Sequence, residues 1–237
     1  GVQTCALPIY DTLCLEIRQD YINIYYRGGS LFRIAPAGAE YSVSFDMNYA
    51  SARTDLIKHI PPSDYAQWVN GIPLLKAEMD AWFFRHAKSE REYQQIVLRE
   101  NNHGGISADT DYYMADIEYA NTENGSRFDL IGIKWPSTSS SRKKADDIRL
   151  AFFEMKYGDG AHAGVAGIVK HFEDLYRFVT DSQKLETVSS EAESQINQKV
   201  QLGLIPSIAK TVHISHAKPE FILLMANHKP EIGRAHV

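Results

Sequence analysis

The chain has 237 residues, 44% of them hydrophobic, with 25 Lys and Arg against 30 Asp and Glu. This is enough apolar content for one large domain or a domain with an appendage. The net charge of -5 argues against a basic coat for non-specific nucleic-acid binding but leaves room for a local basic groove, and no apolar run approaches the roughly 20 residues that span a bilayer.

The two ends differ in character from the rest. "GVQTCALPI" (1–9) and "EIGRAHV" (231–237) resemble translated sequencing-adapter DNA, and both match reading frames of one common adapter. The natural sequence is therefore expected over residues 10–230, as an internal fragment. Cys5 falls in the adapter-like stretch, which leaves Cys14 alone. A lone cysteine makes no internal disulfide and fits a reducing cytoplasm.

Residues 13–46 alternate as strands. "LCLEIR" and "YINIYYR" flank a turn at Gln19-Asp20, "RGGSLFRI" follows Gly28-Gly29, and "EYSVSFDM" comes next. This predicts a small antiparallel β-rich subdomain over 10–60. "IPPSDYAQWVNG" predicts a short helix capped by Ser63. From Pro73 to about Asn101 one long helix is expected, with Trp82, His86, Tyr93, Ile96 and Val97 on its apolar side. Strands are expected at 112–120 and 127–135 around an Asn124-Gly125 turn, then a polar loop, "PSTSSSRKKADD", and a third strand, "IRLAFFEMKY". A glycine-rich turn leads into an amphipathic helix with Val165, Ile168, Phe172, Leu175 and Val179 on one face. A polar helix over 182–203, carrying Leu185, Val188, Ala192 and Ile196, precedes a last strand, "EFILLMAN" (220–227). The sum is an α/β (α+β) core over 61–230, a central mixed sheet flanked by helices, with the β appendage before it.

The third strand carries two residues that an apolar strand does not need. Glu154 and Lys156 fall on the same face as Leu150 and Phe152. Burying two charges costs several kcal/mol each unless they are compensated. Asp129 sits in the preceding strand, and hairpin pairing of the two strands would bring it beside Glu154. Two carboxylates suit a hard cation such as Mg²⁺, which binds substrate phosphate, and a neighbouring ammonium can orient water or neutralise developing charge.

The pattern resembles the PD-(D/E)XK nuclease superfamily, the restriction-endonuclease-like fold: an Asp on one strand, then Glu/Asp-x-Lys on the next. "GSRFD" supplies Asp129 and "FEMK" supplies Glu154 and Lys156. The order helix, three strands, helix, strand over residues 73–227 matches that family's core. Phe128 stands where the family's motif has a proline, one that is often absent among its members, and the 25-residue interval from Asp129 to Glu154 takes the serine-rich loop as an insertion. The resemblance implies that Asp129, Glu154 and the Met155 backbone carbonyl bind Mg²⁺ or Mn²⁺ and that Lys156 acts on the attacking water. It implies a nuclease, with DNA as the substrate of most relatives. Many members add a glutamate from the first helix, for which Glu100 is the candidate here.

Arg142, Lys143 and Lys144 in the polar loop are candidate phosphate contacts beside the site. Lys170 and His171 on the following helix are taken as a solvated flank. Gly158, Gly160 and Ala163 fit a dinucleotide-binding G-x-G-x-x-A pattern, but no acidic strand end follows about 20 residues later. The glycines are assigned to a strand-to-helix turn, and no organic cofactor is expected. "HISH" (213–216) lacks a third zinc ligand nearby. The competing class is a non-catalytic nucleic-acid- or protein-binding module of the same fold, from a defence or mobile-element system. Either a homodimer or a partner protein fits both readings.

Overall fold

The computed structural model describes residues 12–51, 64–103, 109–120, 127–144, 148–158 and 168–227. The adapter-like ends, the Ser63 cap, the Asn124-Gly125 turn and the glycine-rich turn beyond Gly158 lie outside the described residues. The chain divides into two compact units, Gly1–Arg99 and Glu100–Val237.

The first unit opens with an antiparallel meander. Its strands are β1 (Leu13–Ile17), β2 (Ile22–Tyr26), β3 (Gly29–Ala37) and β4 (Glu40–Ser44), in that spatial order. Arg27 and Gly28 form the two-residue tip between β2 and β3, with φ of 51° and 74°. Two successive positive φ values match the twist of a tight hairpin. Glycine is required at the second place for another reason: a Cβ there would meet the Arg91 backbone at 2.5 Å.

Helix α1 (Tyr65–Arg85) buries Trp68, Ile72, Leu75, Met79 and Phe83, a stripe spaced by three and four residues. The stripe forms one core with Leu31, Phe32, Val43, Phe45 and Tyr49. The expected short helix and the start of the expected long one are thus a single helix running through Gly71 and Pro73. An interior proline costs about 3 kcal/mol. Five large side chains buried at about 1.5–3 kcal/mol each outweigh it. α1 therefore belongs to the same compact unit as the N-terminal sheet, although the expected division lay at 60/61.

The long helix expected from Pro73 to Asn101 is broken. His86 leaves helical geometry, stacks on Trp82 with ring centroids 4.6 Å apart, and its backbone N–H donates to Trp82 O at 2.9 Å. α2 (Ser89–Asn102) then starts with a new phase. Its buried face is Gln94, Gln95, Leu98 and Asn102, whereas Tyr93 and Ile96 are exposed. Gln95 is satisfied inside: its carbonyl accepts from Gly28 N at 2.6 Å, and its amide donates to Thr12 O at 2.8 Å. A face that buries amides, with Gln95 bonded to backbone groups on both its atoms, is invisible to a hydrophobicity pattern.

The second unit is α+β. Its strands are β5 (Tyr112–Ala120), β6 (Arg127–Lys134), β7 (Arg149–Tyr157) and β8 (Glu220–Ala226), in spatial order β5-β6-β7-β8. β5/β6 and β6/β7 are antiparallel, and β7/β8 is parallel. A parallel neighbour requires a crossover, supplied by α4 (Ile168–Thr180) and α5 (Ser182–Gln201). The short helix α3 (Ser139–Lys144) lies in the β6–β7 connection. Leu175 and Phe178 of α4 and Val188, Ala192 and Ile196 of α5 share a core with Ile131, Ile133, Leu150 and Phe152. The stripe predicted for α5 is thus its buried face. On α4 the buried face turns toward Leu175 and Phe178, and Phe172 is 49% exposed. Asn102 fixes an irregularity in β5: its carbonyl accepts from Met114 N at 2.7 Å and its amide donates to Met114 O at 2.8 Å.

Candidate functional site

The register of β6 against β7 pairs Leu130 with Phe153. One step further, Asp129 comes beside Glu154. The Met155 N–H donates to Asp129 Oδ2 at 2.8 Å, so the two strands are tied at this level by a side chain. Phe128 packs its ring 4.5 Å from Phe152 and 4.9 Å from Phe178, measured between centroids. An aromatic anchor thus holds the residue before Asp129 where the family's motif has a proline.

Glu154 and Lys156 are each 6% exposed. Lys156 Nζ donates to Glu154 Oε1 at 2.5 Å and to Met155 O at 3.1 Å. These are oxygens of two of the groups that the family resemblance assigns to the metal. His171, on the first turns of α4, places Nδ1 3.1 Å from the same Glu154 Oε1. Burial raises the Glu154 carboxyl above its ordinary value, and the charge of Asp129 raises it further; Lys156 and His171 act against both. Two crowded carboxylates that resist joint ionisation, next to a backbone carbonyl, form a hard-oxygen set that a divalent cation would relieve.

His171 is the residue that the sequence alone undervalued. Its signal was its place on the helix that follows the E-x-K strand in the sequence. Glu118 was missed entirely. Ile117 pairs with Leu130 and Tyr119 with Phe128, so Glu118 falls opposite Asp129 in the register. It has φ of 52° in the middle of a strand, a conformation uncommon for any residue but glycine.

Glu100 is not drawn into this set. Among the described residues no three His, Cys, Asp or Glu side chains gather as a metal-holding group. Glu100 was placed with Tyr93 and Ile96, and the break at His86 turns that face outward. The end of α2 is fixed by Asn102 to Met114, which pairs with Gly132. Gly132 lies three steps along β6 from Asp129, about 10 Å.

The basic loop is also elsewhere. α3 leaves the sheet at the Lys134/Arg149 end, and Glu154 lies five steps along β7, about 17 Å away. Arg142, moreover, is used within the fold. Its Nε donates to Pro136 O at 3.1 Å, Nη1 to Tyr113 Oη at 2.7 Å and Nη2 to Thr110 O at 2.5 Å. Its guanidinium carbon stands 4.8 Å from the Tyr113 ring centroid and 4.9 Å from that of Trp135. Lys143 and Lys144 are exposed. Neither histidine of "HISH" joins a metal group among the described residues: His213 Nδ1 lies 3.3 Å from Glu193 Oε1, and His216 borders a cavity under α4.

Comparison with protein-family models, curated proteins and solved structures finds no match. The functional reading rests on the geometry of the chain itself.

Proposed function

We propose that the unit Glu100–Val237 is a PD-(D/E)XK-type, divalent-metal-dependent nuclease that hydrolyses phosphodiester bonds, with DNA as its substrate. The observation that carries this reading is the convergence of Asp129 and Glu154 across β6 and β7 with Lys156 against both Glu154 and the Met155 carbonyl. Mg²⁺ or Mn²⁺, when bound, supplies a more acidic water and neutralises charge on a phosphate oxygen. Asp129, Glu154 and the Met155 carbonyl would hold it. The Met155 N–H bond to Asp129 Oδ2 would help orient that carboxylate. Lys156, which here donates to Glu154 Oε1 and the Met155 carbonyl, would supply the ammonium that orients the attacking water and offsets charge on the phosphate. His171 meets the same oxygen, Glu154 Oε1, from α4 and limits the rotation of that carboxylate. Lys143 and Lys144 lie too far along the sheet to touch the cleaved bond.

One observation favours a second reading, a non-catalytic nucleic-acid- or protein-binding module. In the pair as it stands, Lys156 already compensates Glu154, so the fold is self-consistent without any cation. For the location, Cys14 is buried and outside any disulfide, and no helix among the described residues is long and apolar enough to cross a membrane. These fit the cytoplasm as the proposed compartment.

Plasmid and oligonucleotide cleavage with Mg²⁺ or Mn²⁺ separates the two readings. The nuclease reading expects cutting by the wild type, abolished by EDTA and reduced about 100-fold or more by Glu154→Ala, Asp129→Asn or Lys156→Ala. A wild-type protein that cuts nothing and binds neither ion by calorimetry overturns it.

A further inference from the structure

The site described above leaves a neighbouring cavity unused. It measures 470 Å³ and opens between α4, the start of α5 and residues 216–221. Its floor is Phe152, fully buried and two positions before Glu154 on the same face of β7, about 7 Å along the strand. Phe172 and Tyr176, one turn apart on α4, form its wall. Phe172 follows His171, which touches Glu154.

Both wall residues are large aromatics that the fold does not cover. Tyr176 is 69% exposed and Phe172 49% exposed. Phe172 is nonetheless held in place, edge-on to Phe221 with centroids 4.5 Å apart and planes at 73°. The rim carries His216 and Lys218. Among the described lining residues the carboxylate is Glu220, which is paired with Lys134 Nζ at 2.6 Å and accepts from the Tyr112 hydroxyl at 2.8 Å. The Asp174 carboxylate on the outer side of α4 is likewise taken by Lys170 at 2.8 Å. A concave aromatic cavity of small-molecule size, with Lys218 on its rim, thus lies two residues along β7 from Glu154.

We propose that this cavity receives one unpaired nucleobase of the substrate strand, stacked on Tyr176 and Phe172, with the phosphate on its near side at Glu154 and Lys156. The proposal rests on the nuclease reading and names its substrate class: nucleic acid with at least one unpaired base beside the cleaved bond. A flat π-face stacks on aromatic side chains whatever the base, and each such stack is worth about 5- to 150-fold in affinity. A paired base cannot enter a cavity of this depth without being extruded, and extrusion is easiest where pairing is already lost. A protein anchor would suit the aromatic wall but has no use for the adjacency to Glu154, whereas a nucleotide's phosphate would also meet Lys218.

The test uses the full chain in EDTA, where binding is read without cleavage. Fluorescence anisotropy compares a duplex with one unpaired adenine against the same duplex with an abasic residue at that place. Wild type is expected to bind the adenine form about tenfold more tightly. Tyr176→Ala, an exposed position, is expected to bind the two forms equally, as is Phe172→Ala. A 2-aminopurine at the unpaired place should be quenched by wild type and not by either variant. Equal affinity of wild type for the two duplexes overturns the assignment, whether that affinity is tight or too weak to measure. Discrimination retained by both variants overturns it as well. Mg²⁺-dependent cutting with no base discrimination removes the cavity proposal alone. Base discrimination without any cutting removes the nuclease reading and leaves a nucleobase-binding module.

Discussion

Replacing Lys156 by methionine keeps the buried aliphatic stem and deletes only the ammonium. In the wild type that ammonium lies 2.5 Å from Glu154 Oε1, with both side chains less than a tenth exposed. At an effective dielectric of about 20, a unit pair 4 Å apart is worth about 4 kcal/mol, and this pair is closer. Removing one partner of a buried pair costs about 3–5 kcal/mol, because the other charge is left without compensation. Here the remaining carboxylate also faces Asp129, which already raises its proton affinity. Lys156→Met is therefore expected to lower the melting temperature by about 10 °C at pH 8 in EDTA, given about 2–4 °C per kcal/mol for a chain of this size. Glu154→Gln should cost a similar amount by stranding the lysine. The double variant Glu154→Gln/Lys156→Met should recover most of the loss, with a coupling of about 3 kcal/mol. Thermal denaturation followed by circular dichroism measures all four proteins. If Lys156→Met melts within 2 °C of wild type, the pair is effectively solvated and the argument for a buried site fails. If the double variant loses the sum of the singles, the two residues do not act as a pair.

Arg142→Lys keeps the charge but loses the planar fork that serves three acceptors. It should destabilise the protein by about 2 kcal/mol while leaving oligonucleotide affinity unchanged, as read by melting and anisotropy on the same samples. Tyr26 titrates with its pKa pushed up to about 12, first by burial and then by its bond to Asp80. A phenol whose pKa is raised in the fold stabilises below the unfolded value near 10, and that contribution is lost as the pH rises from about 10 towards 12. Ultraviolet titration of Tyr26→Phe against wild type should show one component with its midpoint near 12.

The strands were legible because alternation marks a strand one face at a time. The register that sets Asp129 beside Glu154 followed from two charged residues in apolar surroundings and a hairpin between them. Other features were hidden for physical reasons. His86 ends α1 stacked on Trp82 four residues before it, without a glycine or proline to announce the break. α2 turns inward with Gln94 and Gln95, so its phase was taken from the wrong residues, and Glu100 was assigned to the site on that phase. The basic loop was placed beside Asp129 because it is close in sequence. An antiparallel hairpin puts its connection at one end only, and Asp129 is at the other. Arg142 looked available because nothing in the sequence shows the carbonyls it would meet.

The parallel pairing of β7 with β8 has a consequence for synthesis of the chain. β6 can flank β7 as soon as the hairpin is made, but β8 begins at Glu220, more than sixty residues after the end of β7. Until that segment leaves the ribosome, β7 is an edge with its second row of backbone groups open to water. Glu154 and Lys156 are then hydrated and screened, and the floor of the cavity at Phe152 has no far wall at Phe221. Both the charged pair and the aromatic cavity mature only once β8 is added. A nascent chain is thereby kept from acquiring its proposed activity before the rest of the fold can govern it.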